Sequence, residues 1–66
     1  MRMIVNGEEK SFGKNLSVGL LVAEYKLKKE GVAVEVNKKI VKKADYEKHI
    51  LKDGDKVEIV HFVGGG

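Results

Sequence analysis

Asp53-Gly54-Asp55-Lys56-Val57-Glu58-Ile59-Val60-His61-Phe62-Val63-Gly64-Gly65-Gly66 ends the sequence. The glycine between two acids reads as a turn, because glycine permits the reversal and the carboxylates offer local hydrogen bonds. From Lys56 to Val63 β-branched and aromatic residues dominate, which favours a strand. Alternation sends Val57 and Ile59 toward a core and Val60 and Phe62 away from it or to its margin. Three glycines then continue directly from this apolar strand.

Working outward, Met3 to Phe12 holds two short β-prone runs around Asn6-Gly7, a pair that tolerates positive φ and predicts a tight hairpin. Met3 and Val5 should face one side of the first strand and Ile4 the other. Val18, Leu21, Val22 and Tyr25 fall at the i, i+3, i+4, i+7 spacing of a helix face. Ser17 is the expected N-cap, with Lys26, Lys28 and Lys29 near the C-terminal end and Gly31 ending the helix. Val32, Val34 and Val36 alternate as the core face of a third strand, and Asn37-Lys38-Lys39 turns the chain into a short strand around Ile40-Val41. Asp45 to Ile50 is too short for an independent helix and reads as one turn over an end of the core.

Strand, strand, helix, strand, short strand, strand is an α+β pattern. It predicts a β-grasp, ubiquitin-like fold: a mixed sheet of four to five strands with one helix across one face. The first and last strands would be central, parallel neighbours. Residues 1–60 would form the β-grasp domain and 61–66 an extended C-terminal tail ending Gly-Gly-Gly. At about 3.3–3.6 Å per residue such a tail reaches roughly 20 Å.

Sixty-six residues support one core, and 42% hydrophobic with 35% charged residues fits a folded domain rather than a disordered one. No apolar run approaches the roughly 20 residues of a membrane span, so no membrane association and a cytoplasmic location are expected. There is no cysteine, so neither a thiol nor a persulfide can form on a side chain. The net charge is +3, with Lys38, Lys39, Lys42 and Lys43 clustered. No aromatic residue is interleaved with them, so a solvated hairpin is favoured over a nucleic-acid surface.

A glycine tail suits chemistry on the main chain itself, since a segment without Cβ atoms enters channels closed to other residues. The reacting group would be the Gly66 carboxylate, with Gly64, Gly65 and Gly66 entering a partner's active site. That carboxylate is ionised near neutrality and resists nucleophiles until one oxygen becomes a leaving group. Adenylation by ATP in a partner would supply one, and a persulfide nucleophile would then leave a thiocarboxylate. The chain has no phosphate-binding loop and no Ser/His/Asp arrangement, so no catalytic residue is expected in it.

The C-terminal stretch quoted first resembles the signature of the thiamine-biosynthesis sulfur carrier family, ThiS. Met3-Ile4-Val5-Asn6-Gly7-Glu8 is similar to that family's first hairpin, and Val34 to Val41 to its third strand and following turn. The resemblance implies sulfur donation to the thiazole ring of thiamine. It also implies three partners: a ubiquitin-activator-like (ThiF-like) adenylating enzyme, a ThiG-like thiazole synthase and a persulfide sulfur donor. ATP and Mg would be used by the activating partner, with no cofactor bound by this chain. Gly65 and Gly66 match the family's terminal pair, whereas Gly19 and Leu20 stand where relatives tend to have an alanine and an acidic residue. The small subunit of molybdopterin synthase shares the implied fold and diglycine end, which makes a carrier for molybdopterin or another sulfur-containing metabolite an alternative. Its chains are typically longer and often carry proline near the tail, and this chain has no proline.

Ile4, Ala33, Val60, Phe62 and Val63 are the candidate partner-docking residues, because an apolar patch at the base of a reactive tail is what a docking face requires. Ile4 on one adjoining strand and Ala33 on the other should lie near Val60 and Phe62. No metal site is expected: His49 and His61 are not spaced as a ligand pair, and Asp53 and Asp55 lack the remaining positions of a calcium loop. Two other readings share parts of this pattern: a basic β-grasp module binding RNA through Lys38, Lys39, Lys42 and Lys43, and a ubiquitin-like modifier joined to lysines.

Overall fold

The computed structural model describes residues 1–62. Its sheet is built from β1 (Arg2–Val5), β2 (Glu8–Ser11), β3 (Val32–Val36), β4 (Lys39–Val41) and β5 (Lys56–His61), in the order β2-β1-β5-β3-β4. β1 and β5 are parallel and the other pairings antiparallel. One helix, α1 (Val18–Glu24), supplies Val18, Leu21 and Val22 to the core formed with Met3, Val5, Val32, Val34, Val57 and Ile59. This is the β-grasp, α+β arrangement expected from the element order, with β5 in the middle and β1 beside it.

Local chemistry explains most of the boundaries. Asn6 and Gly7 both take positive φ, 51° and 82°, and close the first hairpin. Ser17 caps α1, its hydroxyl accepting from the Leu20 N–H at 3.0 Å. Arg2 N–H donates to Asp53 Oδ1 at 2.7 Å and Lys52 N–H to Asp55 Oδ2 at 2.8 Å, so both acids brace the turn before β5.

The helix boundary is corrected. The helix stops at Glu24 rather than at Gly31: Leu27 N–H donates to Val22 O and Lys26 N–H to Ala23 O, with Lys26 at φ 58°. That is a Schellman closure with lysine in the left-handed position where glycine is usual, and Leu27 packs on the core as its apolar partner. Gly31 instead ends a separate 3₁₀ turn, Lys29–Gly31. The turn expected from Asp45 is present, with Lys48 and His49 N–H both donating to Asp45 O at 3.0 and 2.8 Å, and a 3₁₀ turn over Lys43–Asp45 leads into it. It drives Tyr46 into the core at 1% exposure, a position that sequence spacing did not assign to it.

Gly19 has a packing reason. It lies under that same turn, donating its N–H to Tyr46 O at 2.9 Å. A Cβ there would come within 2.9 Å of the Glu47 carboxylate.

Candidate functional site

β5 carries the candidate site, and its two flanks differ. Over its first half it is held from both sides, with Ile4 N–H donating to Asp55 O, Asn6 N–H to Val57 O, and Asn37 N–H to Lys56 O. β1 then ends at Val5, and a side chain makes the next rung: Ile59 N–H donates to Asn6 Oδ1 at 2.7 Å. Toward β3 the ladder runs on. Val60 lies opposite Ala33 and His61 opposite Val32, and Phe62 N–H donates to Gly31 O at 2.9 Å. Asn6-Gly7 was legible as a turn, but nothing in the pair signalled that the asparagine side chain would also extend the sheet.

The outer face of the sheet, away from α1, bears most of the residues expected to dock partners. Val60 is 52% exposed, Phe62 56% and Ile4 37%, and Ala33 is half-buried. Ala33 and Val60 face each other directly, and alternation assigns Phe62 to the same end. The structure does not bring Ile4 to them. Ile4 pairs with Lys56, four residues before Val60, so about 13 Å of strand separates them at 3.3 Å per residue. Between them Glu58 and Glu35 oppose each other across the strands. The expected patch is therefore split: an apolar end at Ala33, Val60 and Phe62, an acidic middle, and Ile4 beside Lys56. Val63, Gly64, Gly65 and Gly66 lie outside the described residues.

A groove of about 490 Å³ adjoins the root of the tail, lined by Lys26, Leu27, Lys28, Glu30, Gly31, His61 and Phe62. It exists because the lysine-closed helix end and the following 3₁₀ turn fold back beside the end of β5. Another groove, about 450 Å³, lies against the β3–β4 hairpin, where Lys39, Lys42 and Lys52 mix with Asp45, Asp55, Ile40 and Ile50.

The basic cluster is not one surface. Lys43 Nζ donates to Val32 O at 2.7 Å and sits 5.9 Å from the centre of the Tyr46 ring, so it braces the fold, while Lys38 occupies a tight turn at φ 69°. Among the described residues Tyr46 is the one group with a clear titration shift: burial pushes its phenol above the usual tyrosine value, and the backbone of Val34 offsets part of this. The hydroxyl nevertheless has no partner in hydrogen-bond geometry among the described residues. Among the described residues no helix is long and apolar enough to cross a membrane.

A five-stranded β-grasp sheet whose central strand leads in sequence into Gly64-Gly65-Gly66 defines a protein of the ubiquitin-like fold class. Comparison with known proteins narrows the class. The ThiS family model matches residues 2–66. The sulfur carrier protein ThiS of Bacillus subtilis is 43% identical over 63 residues, which cover 94% of this chain and 96% of that protein. The crystal structure of a thiamine biosynthesis protein (ThiS) from Geobacter metallireducens superposes with a TM-score of 0.84 at 33% identity, covering 100% of both chains. A thiazole synthase of Paramagnetospirillum magneticum is 44% identical over 66 residues, and there the chain spans only 20% of the relative. The chain belongs to the ThiS family.

Proposed function

We propose that this chain is the sulfur carrier for thiazole formation in thiamine biosynthesis, and that the sulfur travels on the main-chain carboxylate of Gly66. The observation that supports this most is the ThiS family match, which runs through Gly66. In the proposed cycle a Gly66 oxygen attacks the α-phosphate of ATP in an adenylating partner, releasing pyrophosphate and giving an acyl adenylate. A persulfide sulfur on the donor then attacks the acyl carbon and AMP leaves. A second thiol on the partner side cleaves the resulting sulfur–sulfur bond, so that the thiocarboxylate stays on Gly66 and a disulfide forms on the partner.

The chain's own contribution is delivery. β5 is fixed by neighbours on both sides up to Ile59, so the residues beyond it start from a rigid root. All catalysis then belongs to partners. A thiazole synthase as acceptor is supported by the relative of that name, in which a segment like this chain shares a polypeptide with the remaining four fifths. Ala33, Val60 and Phe62 form the docking patch in this reading, and Val63, Gly64 and Gly65 lead the terminus into the active site.

Deleting Gly66 tests the proposal. The shortened chain loses one residue of reach, about 3.3–3.6 Å, and an error of only about 1 Å can cost roughly 100-fold in rate. Partner-dependent exchange of pyrophosphate into ATP should nearly vanish while the melting temperature stays unchanged. Exchange at the full-length rate would show that Gly66 is not the reacting residue.

A further inference from the structure

The backbone groups of β5 divide cleanly by direction. Phe62 N–H on Gly31 O and Asn37 N–H on Lys56 O mark hydrogen-bonded pairs of the β3–β5 ladder. Such pairs recur at every second residue, so Ala33 with Val60 and Glu35 with Glu58 are the pairs between them. The N–H and C=O groups of Val57, Ile59 and His61 therefore point the other way, toward β1. Asn6 N–H takes Val57 O, and the Asn6 side chain takes Ile59 N–H. The β1 register with β5 covers only Ile4–Lys56 and Val5–Val57. Ile59 C=O, His61 N–H and His61 C=O thus face a side where no strand lies, and among the described residues no partner meets them. These groups sit two residues apart on one edge, the spacing at which a strand accepts another strand. Val60, His61 and Phe62 are all exposed around them.

We propose that this open edge is a strand-addition site, on which an extended main-chain segment of the adenylating partner lies along the β1 side of residues 59–61. The segment accepts from His61 N–H and donates to the carbonyls of Ile59 and His61. This rests on the carrier reading above and adds to it how the tail is held. Side-chain docking at Val60 and Phe62 fixes where the body sits, whereas a backbone ladder fixes the register of the chain leading to the terminus. A slip of one residue would invert every side chain and shift the tail by about 3.3 Å. The spacing of the free groups selects an extended backbone as occupant, because a side chain can satisfy one rung, as Asn6 does, but not the next ones in series.

Proline at position 61 isolates the effect. It removes only an N–H that the fold does not use, at a position already extended and preceded by the extended Val60. His61→Ala controls for the imidazole. The His61→Pro variant should melt close to His61→Ala yet bind the purified adenylating enzyme about tenfold more weakly or worse, since an acceptor on the partner is left unpaired. Equal affinity of the two variants overturns the proposal.

Should the proline variant unfold, amide hydrogen exchange in the unmodified protein decides. His61 N–H should exchange at least about tenfold more slowly in the complex than alone, and an unchanged rate overturns the proposal. Protection of His61 without the enzyme, through pairing with a second copy of this chain, overturns it as well. If the unmodified protein is not adenylated at all, the carrier reading fails and this inference with it. If it is adenylated and the two His61 variants bind alike, only strand addition fails.

Discussion

Replacing Asn6 by alanine should loosen the root of the tail more than any other single change in the first hairpin. Two losses combine. The Asn6 Oδ1 acceptor at 2.7 Å from Ile59 N is part-buried, and leaving such an N–H unpaired costs about 1–3 kcal/mol. Asn6 also sits at φ 51°, where alanine costs about 1–2 kcal/mol relative to a residue that tolerates the left-handed region. The sum is about 2–5 kcal/mol, and at roughly 4–8 °C per kcal/mol for a domain of this size the melting temperature should fall by about 10 °C or more. Aspartate keeps both the acceptor and the tolerance of positive φ, so Asn6→Asp should cost less than about 1 kcal/mol. Thermal and urea unfolding of the two variants beside the parent protein measure both values. An Asn6→Ala variant within about 1 kcal/mol of the parent, or an Asn6→Asp variant as unstable as Asn6→Ala, would refute the assignment of the β1-side rung to this side chain.

The buried, unpartnered Tyr46 hydroxyl makes Tyr46→Phe close to neutral or slightly stabilising at pH 8, since no hydrogen bond is lost. Because the folded phenol titrates above its unfolded value, its contribution is fully present below about pH 10 and is lost as pH rises through the folded value. Tyr46→Phe should therefore flatten the fall in stability above pH 10, and an unchanged alkaline slope would contradict the burial argument. On the outer face, Val60→Asp should weaken binding to the proposed adenylating partner by more than about 1 kcal/mol with the fold intact, as read by titration calorimetry and circular dichroism. Ile4→Asp, about 13 Å away along the strand, should weaken it less; an equal or larger loss at Ile4 would place the docking centre at the opposite end of the sheet.

Much of the fold was legible because its signals are local. Asn6-Gly7 demands positive φ, Ser17 offers a capping hydroxyl, and the alternating valines of β3 present one face to the core. Val57 and Ile59 face the core for the same reason. The helix end was not legible, because Lys26 adopts a left-handed conformation that composition assigns to glycine, so Gly31 drew the boundary too far along. Tyr46 was missed for a related reason. Its burial depends on the 3₁₀ turn at Lys43–Asp45 docking over Gly19, a contact between segments far apart in sequence.

The apolar outer face was half legible. Alternation assigns Val60, Phe62, Ala33 and Ile4 to an outer face, but it is silent on register, and the register sets Ile4 against Lys56 rather than Val60. Lys43 shows the same limit from the other direction: a lysine in a basic run reads as surface charge until a backbone carbonyl, here that of Val32, is seen to hold it.

With no cysteine in the chain, the proposed sulfur cargo sits on the main-chain terminus. The most direct test is the mass of the C-terminal peptide after incubation of the full-length protein with the adenylating enzyme, ATP, Mg and a persulfide donor. One oxygen of the Gly66 carboxylate should be replaced by sulfur, the new group should be alkylated by a thiol-specific reagent, and both changes should disappear when ATP is omitted. A terminus that remains an unmodified carboxylate under these conditions, or sulfur found on any residue other than Gly66, would contradict the proposal.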